Sequence, residues 1–202
     1  MNRNKTIVGV LLLLAMLCSP AMADVYNFLE DWSGEGTQPD GQWYYRGGTK
    51  SNIAYKTPTW SGTNWQIDNS FAQAIGATYI RANGYNWMSL RWLAPEDGVV
   101  TLDMAGMIVD SSGYKDMQWQ VLLQDVVLDE GTWTVGSEAT LNIPDISVSA
   151  GDYVTLSVNS SVVGNHSRIN FSTMQVDLVP EPTTLGLLGV GGLLGVLRRR
   201  KR

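Results

Sequence analysis

Short runs in which apolar and polar residues alternate fill the chain between Asp24 and Leu178, and no long helical pattern interrupts them. Period two places successive side chains on opposite faces of a strand, so each run predicts a β-strand with one apolar face. The apolar residues that share a face are Val100, Leu102 and Met104, then Met117, Trp119, Val121 and Leu123, and finally Val154, Leu156 and Val158. One face of each strand should pack inward and the other should meet water.

Clusters of Gly, Pro, Asp and Ser separate these runs, as antiparallel connections require. The predicted turns are residues 95–98, 111–113, 129–131 and 149–152. Residues 30–70 alternate only weakly, which predicts long loops joined by short strands. A two-sheet sandwich is the simplest way for so many half-apolar strands to bury their faces. We therefore expect an all-β, antiparallel two-sheet jelly-roll sandwich that occupies residues 24–178 as one domain.

The first 23 residues have the order of an export signal. Arg3 and Lys5 precede an apolar run over residues 7–17, and Ala21 and Ala23 are the small residues that signal peptidase accepts before its cut. We expect a signal helix that is removed before Asp24. Cys18, the only cysteine, would leave with it, and the mature protein would carry no thiol. A permanent membrane anchor fits less well, because the run is short and ends in a cleavage pattern.

The tail, residues 179–202, combines three elements. Pro180, Glu181 and Pro182 are followed by 15 uncharged residues at 183–197 and by a basic cluster at 198–202, which includes Arg198, Arg199 and Arg200. As a helix the uncharged part extends about 22 Å, less than the roughly 30 Å hydrocarbon core, so it suits a temporary anchor. The basic cluster is retained on the cytoplasmic side, and the prolines keep the junction extended. We expect a short transmembrane helix over residues 183–197.

This order of elements resembles the PEP-CTERM sorting signal. The resemblance implies that an exosortase, a membrane-embedded transpeptidase, recognises the tail and removes it near Pro180-Glu181-Pro182. The product would then reach the surface of a Gram-negative bacterium, or the medium, in cells that make exopolysaccharide. A protein that stays anchored in the inner membrane by this tail is the alternative.

Charge is unevenly distributed along the chain. Residues 24–180 contain 7 Lys and Arg against 18 Asp and Glu, so their net charge is 7 − 18 = −11. A body of this charge repels a phosphate backbone, which argues against nucleic acid as a partner.

Three segments of the second half follow a pattern of strand, turn and closing strand at residues 90–100, 147–154 and 174–178. This pattern resembles bacterial extracellular jelly rolls of the galactose-binding and carbohydrate-binding-module type, over roughly residues 86–178. The resemblance implies tight turns at Gly98 and Gly151 and a core position for Trp92. It supports the fold more than any ligand.

Residues with catalytic chemistry are few. His166 is the only histidine, and we expect it to be a solvated residue of a polar turn. A glycosidase needs two carboxylates about 5–9.5 Å apart, whereas the acidic pairs at 96–97 and 129–130 fall in predicted turns. We expect neither catalytic residues nor a cofactor. A structural Ca²⁺ bound by residues 110–113 and Asp116 is an open alternative.

Aromatic residues in polar, Gly-containing stretches are the candidates for ligand binding: Trp60, Trp65, Tyr85 and Trp133. Exposed indole rings offer flat apolar faces on which sugar rings can stack, while nearby amides and carboxylates bind the hydroxyls. The alternative is that these rings fold back to cover the open edges of the sandwich.

Together these features predict a non-enzymatic exported protein. Its partners would be signal peptidase and exosortase during export and extracellular polysaccharide afterwards, and its final location would be the cell surface or the extracellular matrix. A carbohydrate-binding module with a defined glycan site is the second interpretation, and a surface glycoside hydrolase is the third.

Overall fold

The computed structural model describes residues 22–38, 41–49, 52–67, 70–109 and 113–181. These residues form one short helix, α1 (Phe28–Asp31), and fourteen strands. The strands are β1 (Asp24–Asn27), β2 (Trp43–Thr49), β3 (Asn52–Lys56), β4 (Thr59–Trp60), β5 (Trp65–Ile67), β6 (Ser70–Gly76), β7 (Tyr79–Ala82), β8 (Asn86–Leu93), β9 (Gly98–Ile108), β10 (Met117–Leu123), β11 (Val126–Trp133), β12 (Glu138–Val148), β13 (Tyr153–Ser160) and β14 (Ser167–Pro180).

The strands form two sheets. Sheet A has the order β12-β9-β14-β7-β6-β5-β4, with β1 also pairing with β14, and sheet B has the order β11-β10-β13-β8-β2-β3. The registered pairs are antiparallel. From β8 onward the chain passes repeatedly between the sheets, which ties them together. The predicted all-β antiparallel sandwich is confirmed.

Contacts within Asp24–Leu178 form one compact unit. The predicted signal helix and transmembrane helix lie outside the described residues. No helix in the part of the chain that the structure describes has the length and apolarity needed to cross a membrane.

The core lies between the two sheets and is built as the alternation predicts. Val100, Leu102 and Met104 are buried on β9, and Val154, Leu156 and Val158 are buried on β13. Their strands belong to opposite sheets, so the two apolar faces meet. Each Å² of apolar surface removed from water stabilises the fold by about 25 cal/mol, so the burial of these faces is the main stabilising contribution.

One predicted turn is wrong. Residues 129–131 lie inside β11, and the chain reverses instead at Gln124 and Asp125, both with positive φ (48° and 67°). Two central residues with positive φ match the right-handed twist of a tight hairpin. Gly131 serves packing, because a Cβ there would lie 2.8 Å from the Trp119 ring.

The two central strands of sheet B also depart from expectation. We expected one wet face, but on β13 every residue after Tyr153 is buried, and on β8 all but Trp87 and Leu93 are. The outward residues of β13 are small and polar, and longer side chains on the flanking strands can lean over them. The outer face of sheet B is therefore shielded along its middle.

Candidate functional site

The outer face of sheet B carries three rows of side chains that cross the strands, defined by the strand register. The middle row is Arg46, Ser89, Ser157, Gln120 and Glu130. The row toward the β10–β11 turn is Tyr44, Arg91, Thr155 and Leu122. The row at the other end contains Trp87 on β8, with Asn159, Gln118 and Thr132 on the strands toward β11. In the middle row, short serines on the two central strands lie between long side chains.

A groove of about 550 Å³ lies over this face, mainly between β8 and the β10–β11 hairpin. Its lining residues are Trp87, Gln118, Trp119, Gln120, Glu130, Gly131 and Thr132. Gln120 donates a hydrogen bond from Nε2 to Glu130 Oε2 at 2.7 Å, which orients both side chains. The groove thus combines an indole ring with amides, a hydroxyl and one carboxylate, a mixture suited to a hydroxylated ligand.

Two tryptophans line this groove, Trp87 and Trp119, and Trp87 is half-buried. Period two places it opposite Met88, Leu90 and Trp92, which are fully buried in the core. No other ring in the described residues stacks on it, unlike the tryptophans of the core. The Trp87 indole is therefore not engaged in stacking with another aromatic ring of the described residues.

Three buried polar atoms on the outer face of sheet B lack protein partners. Among the described residues, Gln118 Oε1, Asn159 Nδ2 and Thr155 Oγ1 are buried without a hydrogen bond. Asn159 Oδ1 accepts from Ser160 N at 2.9 Å, which fixes the amide with Nδ2 as the unpaired atom. An unpaired buried polar group costs about 1–3 kcal/mol. This face therefore carries polar groups that the protein itself does not satisfy.

The other end of the face holds a charged aromatic cluster. The Arg91 guanidinium lies 4.6 Å from the centre of the Tyr153 ring and contacts Asp125 at 2.7 Å. Tyr44 packs edge-on against Tyr153, with 5.9 Å between ring centres. Between this cluster and Trp87, Ser89 and Ser157 share a hydrogen bond of 2.6 Å between their hydroxyl oxygens. Two aromatic positions on one face are thus separated by a pair of buried serines.

Two of the four predicted aromatic candidates belong to a large packed cluster. Trp65 is 6% exposed and stacks on Tyr45 with 5.4 Å between centres. Trp60 is half-buried between Trp32 and Trp65. The backbone of Gly36 lies directly against the Trp60 ring, where a Cβ would clash. These rings contribute chiefly to packing.

Trp133 is 8% exposed and stacks on Trp119, with ring centres 5.3 Å apart and an interplanar angle of 22°. The pair lies at the β11 edge of the sandwich, which matches the alternative that such rings cover an open edge. Tyr85 is different, because it is 57% exposed in the β7–β8 loop beside Gly164. The structure does not bring the four candidates together into one site.

Trp87 was missed as a candidate, although the sequence contains its signal. The alternation of β8 places Met88, Leu90 and Trp92 inward, so a tryptophan one residue out of phase must face outward. The four candidates above lie in polar, Gly-containing stretches, whereas Trp87 lies within a strand. An aromatic residue on the polar phase of a strand is the better indicator of an exposed platform.

His166 is not the solvated turn residue that we expected. It forms a β-bridge with Tyr114 and is half-buried, and its Nδ1 is buried without a hydrogen bond. Burial, with a smaller contribution from the Arg81 charge, lowers the pKa of His166 below its ordinary 6.5. The side chain is thus held in its neutral form near pH 7.

The sorting residues within the described range adjoin the first and the last strand of the chain. Ala23 is exposed and directly precedes β1. Pro180 ends β14, and Glu181 after it is exposed. Ala21, Pro182, Arg198, Arg199 and Arg200 lie outside the described residues.

The candidate calcium loop is described in part, because residues 110–112 lie outside the described range. Asp116 accepts a hydrogen bond at Oδ1 from Val135 N at 2.8 Å, so this carboxylate already supports the neighbouring turn. Across the described residues, no group of three or more His, Cys, Asp or Glu is placed to hold a metal ion.

Comparison with known proteins finds a sorting motif in the tail and distant similarity to solved structures. The PEP-CTERM protein-sorting motif matches residues 178–202. No curated protein matches the sequence. The xylan-binding domain CBM22-1 of Paenibacillus barcinonensis Xyn10C aligns with 80% of this chain and 99% of its own, at 18% identity and a TM-score of 0.41. The CBM36-1 domain of a xylanase from the hindgut metagenome of Trinervitermes trinervoides covers 77% and 95%, at 12% identity and 0.39.

Proposed function

We propose that this chain is an exported surface or extracellular-matrix protein that an exosortase processes and that associates with exopolysaccharide without catalysing a reaction. The observation that carries the proposal is the PEP-CTERM protein-sorting motif at residues 178–202, which begins within the last three residues of β14. Signal peptidase would remove residues 1–23, and the sandwich of residues 24–178 would be the delivered part. The inner membrane would hold the chain only transiently through its tail.

The junction between sandwich and tail suits this processing. Pro180 has no N–H to donate and a fixed φ, so the strand pairing ends there. Glu181 is exposed next to it. A transpeptidase thus meets an extended, accessible segment.

Mass spectrometry of the protein from the producing cells tests the processing. We expect a chain that begins at Asp24 and lacks residues 198–202. Replacing Pro180, Glu181 and Pro182 with alanine should leave an unprocessed form in the inner membrane, whereas Pro95→Ala, in an exposed loop, should change nothing. A full-length tail on protein recovered from the surface or medium would refute the proposal.

A second candidate function, a carbohydrate-binding module with a defined glycan site, is favoured by the Trp87 groove. The indole would stack on a sugar ring, and Gln118, Gln120 and Thr132 would bind its hydroxyls. The earlier set of Trp60, Trp65, Tyr85 and Trp133 is the competing site, although packing already occupies three of its rings. A surface hydrolase is disfavoured by the groove itself, whose lining includes a single carboxylate, Glu130.

Electrophoretic retention of variants in gels that contain the producer's exopolysaccharide distinguishes the Trp87 groove from the competing site. We expect Trp87→Ala to weaken retention several-fold, because one stacked ring is worth about 1–3 kcal/mol in other polymer binders. The triple alanine variant of Trp60, Trp65 and Trp133 should instead lose stability, and Tyr85→Ala tests the exposed ring of the competing set. Unchanged retention of Trp87→Ala would reject the groove.

A structural Ca²⁺ at residues 110–113 and Asp116 is also proposed, on the oxygen-rich composition of that loop. A similar fold, carbohydrate-binding module CBM36, was solved in complex with calcium and xylotriose. Melting with CaCl₂ and with a chelator tests the idea, and identical melting temperatures would reject it.

A further inference from the structure

We propose that the groove over sheet B accepts uncharged segments of a polysaccharide and rejects segments that carry carboxylates, and that Glu130 sets this selectivity. The inference rests on the second candidate function above, because it states which chemical class of glycan the same groove binds. Trp87 and Trp119 line the groove and offer a stacking surface to a sugar ring of any charge. Selectivity between charged and uncharged sugars must therefore come from the polar part of the lining.

The charge of the lining is the first argument. Within the part of the chain that the structure describes, Glu130 is the one charged residue that lines the groove. Its side chain is exposed, and the Gln120 amide holds the carboxylate at 2.7 Å. A second carboxylate, that of Asp129, lies beside it and accepts a hydrogen bond from Glu130 N at 2.9 Å. A ligand in the groove therefore meets a local negative charge.

The position of the two arginines on this face is the second argument. Arg46 ends the same cross-strand row, but four strand spacings of about 4.8 Å place its Cα about 19 Å from that of Glu130. This separation exceeds the Debye length of about 8 Å at physiological salt. Arg91 lies one strand nearer, but its guanidinium contacts Asp125 at 2.7 Å, so these two charges compensate each other. Neither arginine therefore offsets the charge of Glu130.

The direction of hydrogen bonding is the third argument. Carboxylate oxygens only accept hydrogen bonds, so a sugar hydroxyl beside Glu130 can donate one, and such a bond to a charged acceptor is strong. A carboxylate on the ligand has no proton to donate at neutral pH. It would face Glu130 with charge repulsion and without a hydrogen bond, so both effects disfavour acidic sugars.

The test compares three forms of the producer's exopolysaccharide, immobilised for surface plasmon resonance with the folded protein in solution. In the first form the carboxylates are reduced to alcohols, in the second the primary hydroxyls are oxidised to carboxylates, and the third is the methyl ester of the second. We expect the wild type to bind the reduced form and the ester roughly tenfold more tightly than the oxidised form. At 1 M salt, where the Debye length is about 3 Å, this preference should shrink.

Glu130→Gln is the decisive variant, because glutamine keeps an acceptor for the Gln120 amide and removes the charge. We expect its preference for the reduced form over the oxidised form to fall to about twofold or less. The acidic body as a whole also repels an acidic polymer, so the control must change net charge equally. Glu138→Gln does so at an exposed position on β12 of the other sheet, and it should keep the preference of the wild type.

Melting temperatures show that both variants are folded. Three outcomes would overturn the proposal while leaving a glycan site at Trp87 standing: a preference that salt or Glu130→Gln leaves intact, an ester that binds as weakly as the oxidised form, or tighter binding of the oxidised form by the wild type. Failure of every form to bind the wild type would overturn both the selectivity and the site.

Discussion

Individual tryptophans of this protein have different roles despite similar sequence surroundings. Trp65 and Trp133 are buried in stacked pairs, whereas Trp87 is half-buried and lies outside the ring clusters. Burial decides what a residue contributes, because an aromatic side chain stabilises the fold in proportion to the surface it removes from water.

Alanine substitutions of these tryptophans should therefore differ in their effect on the free energy of unfolding. We expect Trp65→Ala and Trp133→Ala each to lower the free energy of unfolding by about 3 kcal/mol or more, as for buried aromatics. Trp87→Ala should cost clearly less, because its ring is partly in water and stacks on no other ring. Urea denaturation measures all three, and an equal loss for Trp87→Ala would mean that its ring is structural.

His166 gives stability a specific pH dependence. Its folded pKa lies below the unfolded value of about 6.5, so between the two values the unfolded chain binds more protons. The stability that neutral His166 provides is complete above pH 6.5 and is lost as pH falls toward the folded pKa. Denaturation of the wild type and of His166→Asn from pH 8 to 5 should show a difference that shrinks on acidification, and a constant difference would contradict this.

At the scale of elements, the β7–β8 loop packs closely against the β13–β14 loop. Gly84 in the β7–β8 loop has φ +78°, and a Cβ there would clash with the carbonyl oxygen of Val162 in the β13–β14 loop. Gly151 has a similar φ of +89°, but its surroundings are open. Gly84 therefore combines a positive φ with a lack of space for a side chain, whereas Gly151 has only the positive φ.

We expect Gly84→Ala to destabilise the protein by more than Gly151→Ala. Both variants carry the cost of positive φ, about 1–2 kcal/mol, but only Gly84→Ala must also displace backbone. Thermal unfolding of the pair measures the difference. Equal losses would show that the two loops can separate freely.

The sequence predicts the sandwich well and the site poorly, for a physical reason. Alternation reveals which residues face the core, so the buried faces of β9 and β13 follow directly from it. The site depends on register between strands distant in sequence, such as β8 and β13, which periodicity does not encode. The turn at Gln124 and Asp125 was missed because neither residue is the glycine or asparagine that usually signals positive φ.

For the whole molecule, the arrangement of the cations reinforces the effect of net charge. All four arginines of the sandwich lie over tyrosine rings, with the guanidinium carbon 4.2–5.8 Å from the ring centre: Arg46, Arg81, Arg91 and Arg168. These side chains are engaged within the protein, so the body of net charge −11 offers few cations to an external polyanion.

We therefore expect residues 24–179, expressed alone, to show no DNA binding at physiological salt, because few counterions could be released. Electrophoretic mobility shift with a random-sequence duplex measures this, and a basic DNA-binding domain is the positive control. Salt-sensitive retention of the duplex would contradict the expectation.

The pairing of β1 with β14, which places Asp24 opposite Leu178, has a mechanical consequence. β14 lies inside sheet A between β9 and β7, and β1 pairs with the C-terminal part of β14. If the processed end is attached to the cell, a pull on it runs along the axis of β14, and the hydrogen bonds on both sides are loaded together in shear. They cannot then be unzipped one at a time, so a strand in this position resists a pull along its axis.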